Sequence, residues 1–243
     1  ADTQTSTLDL EAGLVCVGSS NDTNYVFSVP ERIVTTVDSN QNATFSNITV
    51  HQGTFLEKSF VVDGSLDQRF ILDNPYIDSS TIVVRIRESN NDVSEGREYQ
   101  VSDNILNIDT TSEVYFLQEV QDEKYELLFG DGFFGKKLET GNVIDVSYII
   151  TDGKEGNGAS NFAFSGRFRD DKGNIEVPTN SIEITTSQNA VNGADIESVD
   201  SIKYFAPRIY SSQYRAVTAR DYEAIIQNIY PNTESVSVVG GEE

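Results

Sequence analysis

Residues 125–148 constrain the fold more than any other stretch. Tyr125-Glu126-Leu127-Leu128-Phe129 is an apolar run, and Gly130-Asp131-Gly132-Phe133-Phe134-Gly135 follows as a glycine-rich turn. The turn contains a literal G-x-G-x-x-G at Gly130, Gly132 and Gly135. A dinucleotide fingerprint needs a helix after those glycines, because the helix N-terminus holds the pyrophosphate. Here Val143, Ile144, Val146, Tyr148, Ile149 and Ile150 follow instead. They are β-branched or aromatic and mostly alternate with polar residues, which is a strand signature. A kinase-type glycine loop also fails, since no Val-Ala-Ile-Lys, His-Arg-Asp or Asp-Phe-Gly motif is present. Lys136 and Lys137 could meet an anion, but Asp131 opposes one. The stretch therefore reads as a hairpin in an all-β region. Gly130, Asp131, Gly132 and Gly135 form its structural turn, with Gly130 or Gly132 at positive φ.

The rest of the chain supports a mainly β protein. Residues 8–62 read as short strands divided by polar turns, such as Ser19-Ser20-Asn21-Asp22 and Asp38-Ser39-Asn40-Gln41-Asn42. Ile48 and Val50 read as one face of a strand there, and Thr49 and His51 as the other. Thr81–Arg87 is the clearest strand, with Ile82, Val84 and Ile86 on one face and Val83, Arg85 and Arg87 on the other. Strands divided by turn clusters predict sandwich or barrel-like β domains. Gly153, Gly156 and Gly158 mark a flexible loop suited to a hinge. Asp170-Asp171-Lys172-Gly173-Asn174 reads as a hairpin turn, and Ile175, Val177, Ile182 and Ile184 as strand residues. Lys172 interrupts the oxygen pattern of a calcium loop.

From Asn189 the period changes. Ile196, Val199 and Ile202 predict a helix ending at Ala206-Pro207. Thr218 to Asp221 is a capping-box variant, and Tyr222, Ile225, Ile226 and Ile229 make an amphipathic helix. Val236, Val238 and Val239 suggest a final strand. The expected organisation is an N-terminal β region (1–62), a central β domain (63–188) and a small α/β C-terminal module with two helices (189–243).

Charge and the scarce residue types narrow the functions. Lys and Arg number 17 against 39 Asp and Glu, a net charge of −22. Such a surface repels nucleic acid and anionic membranes, so neither is expected as a partner. No window approaches the apolar length of a membrane span, and no signal peptide is expected. The lone Cys16 reads as a buried strand residue. The lone His51 leaves little for triads or multi-histidine metal sites. No catalytic, cofactor-binding or metal-binding residue is assigned. Glu126, Asp131, Glu139 and Asp145 lie near the turn and offer the acids of a glycoside hydrolase, or simply solvated strand faces. Arg85 and Arg87 suit carboxylates of a neighbouring subunit.

Residues 204–215 join the two expected helices and carry Tyr204, Phe205, Arg208, Tyr210, Tyr214 and Arg215. Tyr and Arg are common interface anchors. With Tyr222 and Ile226 these residues form the candidate interface, against a connector packed on its own domain. With no Met in the chain, the sequence reads as a fragment of a longer protein.

The ordered motifs carry a resemblance. Phe129-Gly130-Asp131-Gly132-x-x-Gly135 is followed by Leu138-Glu139-x-Gly141-Asn142-x-Ile144-x-Val146-x-Tyr148 and by Thr151-x-Gly153-x-x-Gly156-Asn157. Then come Glu197-Ser198-x-x-x-Ile202-Lys203-x-x-Ala206-Pro207 and Gln213-x-Arg215-Ala216-Val217-Thr218-x-x-Asp221-Tyr222-Glu223. Upstream stand Val50-His51-Gln52-Gly53 and Phe70-x-Leu72-x-Asn74. The set resembles the baseplate J-like family of contractile tails, in the form of the baseplate wedge subunit of T4-like phages, over roughly residues 45–241. The resemblance implies a late, non-enzymatic structural protein of the virion, assembled in the host cytoplasm. It would form a homodimer, bind other baseplate wedge proteins, link wedges into a ring around the hub and rearrange on sheath contraction. It brings no catalytic residues and no cofactor. The alternative is a carbohydrate- or receptor-binding β module of a phage tail.

Overall fold

Local chemistry sets the first strands. β1 (Thr7–Leu10), β2 (Gly13–Ser20), β3 (Thr23–Val29) and β4 (Ile33–Thr36) open the chain. Asn21 (φ 48°) and Asp22 (φ 62°) turn β2 into β3. Both side chains tolerate the left-handed conformation that a two-residue hairpin requires. The computed structural model describes residues 6–65, 67–104, 108–173, 175–176, 182–212, 215–230, 233 and 235–240.

The other strands are β5 (His51–Gln52), β6 (Thr54–Val61), β7 (Phe70–Leu72), β8 (Ile77–Arg87), β9 (Arg97–Val101), β10 (Val114–Val120), β11 (Lys124–Phe129), β12 (Val143–Ile150), β13 (Ser160–Phe164), β14 (Phe168–Asp170) and β15 (Ile175–Glu176). Seven of them form a nearly closed, barrel-like sheet in the order β6-β12-β8-β9-β10-β11-β7. Two four-stranded sheets, β15-β14-β1-β4 and β13-β2-β3-β5, combine strands from both ends of this region. The chain is thus mainly β, with two helices near its C-terminus.

The barrel core follows from alternation. Ile144, Val146 and Tyr148 of β12 meet Ile82, Val84 and Ile86 of β8, with Leu72, Tyr99, Tyr115 and Leu127 from the far wall. Each strand sends every second side chain inward, so one apolar stripe per strand suffices. A register shift between Ser147 and Ile149 sits opposite Thr81. The Thr81 hydroxyl accepts from Ile149 N (3.0 Å) and donates to the Asp78 carbonyl (2.7 Å), so the bulge leaves both groups satisfied. Cys16 is buried, and burial pushes its thiol up to about 11.

Several local expectations need correction. β11 and β12 are not a hairpin: β11 pairs with β10 and β7, and β12 with β6 and β8. Residues 130–142 cross between two walls instead, a span beyond a tight hairpin loop. Ile48 and Val50 lie outside any strand, and only His51–Gln52 pairs there, with β3. Ile182 and Ile184 are likewise unpaired, while Val177 lies outside the described residues. Val236–Val239 form no strand, because no described strand lies alongside them.

The first helix does not end at Pro207. α1 spans Val199–Ser212 and carries the proline inside it. Proline removes the N–H due to the Lys203 carbonyl. The neighbouring Arg208 packs locally: its guanidinium donates to the Tyr204 carbonyl and lies 3.5 Å from the centre of the Tyr204 ring. α2 spans Ala219–Ile229.

Two compact units result. One comprises Ala1–Asp152 with Gly158–Asn189, and the other Gly153–Asn157 with Ala190–Glu243.

Candidate assembly interface

The glycine turn is built by its own hydrogen bonds. Asp131 Oδ1 accepts from Phe133 N (2.8 Å) and Phe134 N (2.9 Å). These bonds hold its carboxyl below the usual aspartate range. Gly132 N donates to Gly135 O (3.1 Å), Gly135 N to Asp109 O (3.0 Å) and Lys136 N to Ser112 O (2.9 Å). Positive φ falls on Gly132 (94°) and Gly135 (90°) rather than on Gly130. A Cβ on Gly130 would stand 2.2 Å from the Gly135 carbonyl carbon, so close backbone approach demands glycine there. A phosphate loop offers free N–H groups to its ligand. Here the N–H groups of residues 132–136 are all spent inside the protein. The turn instead presents Phe133 (77 % exposed) and Phe134 (50 % exposed) to solvent, a feature that the adjacent aromatics within a glycine turn signal in the sequence.

The four acids near the turn do not act as a group. Glu126 is gripped in a bidentate pair by Arg69, Nε to Oε1 at 2.7 Å and Nη2 to Oε2 at 2.6 Å. That pairing lowers its pKa despite burial of the side chain. Burial pushes the Asp145 carboxyl upward, but Arg87 (2.5 Å) and Ser59 (2.5 Å) hold it below the usual range. Asp131 caps its own turn, and the exposed Glu139 engages Asn142 through its main chain. Arg85 and Arg87 find their carboxylates within this chain: Arg85 on Glu31 and Glu98, Arg87 on Asp145. They are therefore not held in reserve for a neighbouring subunit. Among the described residues no three His, Cys, Asp or Glu side chains gather as a metal cluster. No helix among them is long and apolar enough to cross a membrane.

The C-terminal unit carries a different surface. Ser198 opens α1, its hydroxyl accepting from Ser201 N (3.2 Å). Thr218 opens α2 through a reciprocal capping box: Asp221 N donates to Thr218 Oγ1 (3.3 Å) and Thr218 N to Asp221 Oδ2 (2.8 Å). The helices pack on each other, and Ala224 is buried. Tyr204 (54 %), Tyr210 (86 %) and Tyr222 (47 %) are exposed, while Phe205, Arg208 and Ile226 are half-buried. Tyr204, Phe205, Arg208 and Tyr210 thus lie on α1 itself, not in a connector. The Tyr204 and Phe205 rings meet edge to face at 4.9 Å. Arg215 is exposed in the connector, and Tyr214 lies outside the described residues. Val199, Ile202, Ile229 and Tyr230 add exposed apolar surface that the sequence reading did not single out. Their helical spacing was visible; whether a partner helix would cover them was not.

The 153–158 loop is fastened rather than slack. Gly153–Gly156 forms a 3-10 turn, Asn157 exchanges two 2.8 Å hydrogen bonds with Gly193, and Lys154 pairs with Asp195 at 2.6 Å.

No family model matches the chain. It is similar to the baseplate wedge protein gp6 of Enterobacteria phage T4, with 28 % identity over 139 residues. The match takes in 48 % of this chain and only 20 % of that protein's length. Part of this chain is therefore similar in sequence to a phage baseplate wedge protein, and several exposed apolar side chains lie on the C-terminal helices.

Proposed function

We propose that this chain is a non-enzymatic structural subunit of a contractile phage tail baseplate, built into the virion after assembly in the host cytoplasm. The helix pair α1–α2 is its assembly surface, joining a second copy and neighbouring wedge proteins. Through these contacts the subunit links wedges into a ring around the hub and rearranges when the sheath contracts. The observation that carries the reading is the apolar surface of the helix pair. Tyr204, Tyr210, Tyr222, Ile202 and Ile229 stay exposed on the two helices. Exposed apolar side chains gathered on one element can mark an interaction site. Two helices presenting the same face in each copy suit an isologous, two-fold contact. The partial likeness to a baseplate wedge protein supports the setting.

The carbohydrate-binding alternative gains nothing from the polar groove at Ser19–Asp22, Asn24 and Gly158–Asn161, whose lining offers a sugar no aromatic ring to stack on. Sedimentation of the full chain at micromolar concentration tests the assembly surface. A dimer is expected, with Ile202→Asp plus Tyr210→Asp giving a folded monomer. A wild-type monomer at every concentration, with no binding to purified wedge proteins, overturns the proposal.

A further inference from the structure

The barrel is open along one line. β6 pairs with β12 alone and β7 with β11 alone, so each keeps a free edge facing the other. No strand bridges the gap among the described residues. A side chain does: Lys58 Nζ donates to the Ile71 carbonyl (3.0 Å), pairs with Asp73 (2.6 Å) and lies 5.2 Å from the Phe60 ring centre. Phe60 and Phe70 meet edge to face across the same gap at 5.6 Å. A groove of about 550 Å³ lies along this seam, floored by Ile71 and Val120.

The charge of the groove is opposite to that of the protein. In a chain of net charge −22, Lys58, Arg69 and Lys124 line it against a single lining carboxylate, Asp73. Glu126 engages Arg69 from beside it. Lys124 holds no ion pair among the described residues, while Lys58, itself partly buried, holds an exposed Asp73. With the Asp73 carboxylate open to solvent, another carboxylate can take its place on Lys58.

We propose that the β6–β7 seam receives an extended acidic segment of a partner protein, added as a strand along β7. Its main chain takes over the Ile71 carbonyl from Lys58, and its carboxylates meet Lys58, Arg69 and Lys124. Main-chain pairing supplies the affinity and the cations supply selectivity, as in other strand additions. The competing role for Lys58 is that of an edge guard, since lysines on edge strands discourage pairing with other chains. The two roles differ in what a mutant does. The seam lies wholly in the barrel unit, apart from the helix pair given the assembly role, so the two proposals fail separately.

The test uses the full chain and a fluorescein-labelled decapeptide of alternating Asp and Val, with the Lys-Val decapeptide as its counterpart. The acidic peptide is expected to bind with salt-sensitive affinity and to protect the Ile71 amide, on the seam side of β7, from exchange. Lys124→Glu, at a partly buried site with no ion pair among the described residues, should weaken binding by about tenfold. Lys58→Ala should open the edge yet keep the preference for the acidic peptide. No binding of the acidic peptide up to about 1 mM overturns the proposal. So does equal binding of the basic peptide, or an affinity unchanged by Lys124→Glu. Binding to Lys58→Ala without charge preference, and none to wild type, would leave Lys58 an edge guard only.

Discussion

In the barrel, Ile144, Ile149 and Leu72 are fully buried, and around them the polar groups are matched. Tyr148 donates to Asn74 Oδ1, Thr81 fills the bulge, and Glu126 is clasped by Arg69. In the helix-pair unit, Ala224 is the one buried hydrophobic side chain among the described residues, while Tyr210, Val199 and Ile229 stand in solvent. The difference is one of closure. A sheet that curls on itself buries one face of every strand within its own chain. Two short helices bury only a stripe on each other and leave the rest of each apolar face unmet. The barrel buries its apolar faces within its own sheet, while the helix pair leaves apolar side chains in solvent.

Deleting one side chain from each unit gives the largest contrast. Ile144→Ala should destabilise the barrel by about 2–5 kcal/mol in denaturant unfolding, the range for a large core side chain cut to alanine. Ile202→Ala, at a site 46 % exposed, should change the stability of the monomer by less than about 0.5 kcal/mol. Its effect should appear in the dimer dissociation constant instead. Equal losses of monomer stability at both sites would break the comparison.

A smaller effect sharpens it from the helical side. Thr218→Ala removes the reciprocal cap of α2 and should cost about 1 kcal/mol. Amide exchange should quicken across Ala219–Ile229 and leave β12 unchanged. A matching loss of protection in β12 would show that the two units unfold as one.

The smallest expected effect concerns acid. Glu126 has a folded-state pKa lowered chiefly by Arg69, so folding favours its ionised form. Its stabilisation is complete above the unfolded value, about pH 4.3, and is lost as pH falls through the lowered folded value. Glu126→Gln should therefore be less stable than wild type near neutrality, with the two converging in acid. A constant difference across that window would mean that packing, not charge, holds Arg69 and Glu126 together.

Much of the local structure was legible in the sequence. The inward face of Ile82, Val84 and Ile86 follows from strict alternation, and the start of α2 follows from Thr218 and Asp221. Of the candidate interface, Tyr204, Tyr210 and Tyr222 are exposed, and Phe205, Arg208 and Ile226 lie partly beneath them. Errors arose where a remote partner decides. Ile182 and Ile184 find no strand to join, and β11 and β12 choose partners far from each other in sequence.

By itself, the sequence determined that residues 125–148 are strand, glycine turn and strand, and that no helix follows to hold a nucleotide. Those properties rest on side-chain alternation and on the φ values glycine allows, both local to the chain. Only the tertiary structure decided that the two strands are not partners. β11 turns to β10 and β7, β12 to β6 and β8, and the turn spends its own N–H groups on Asp131, Gly135, Asp109 and Ser112. Strand pairing is a choice among edges far apart in sequence, made by which arrangement buries every apolar face at once. The same closure left one seam open between β6 and β7, where Lys58 stands in place of a strand.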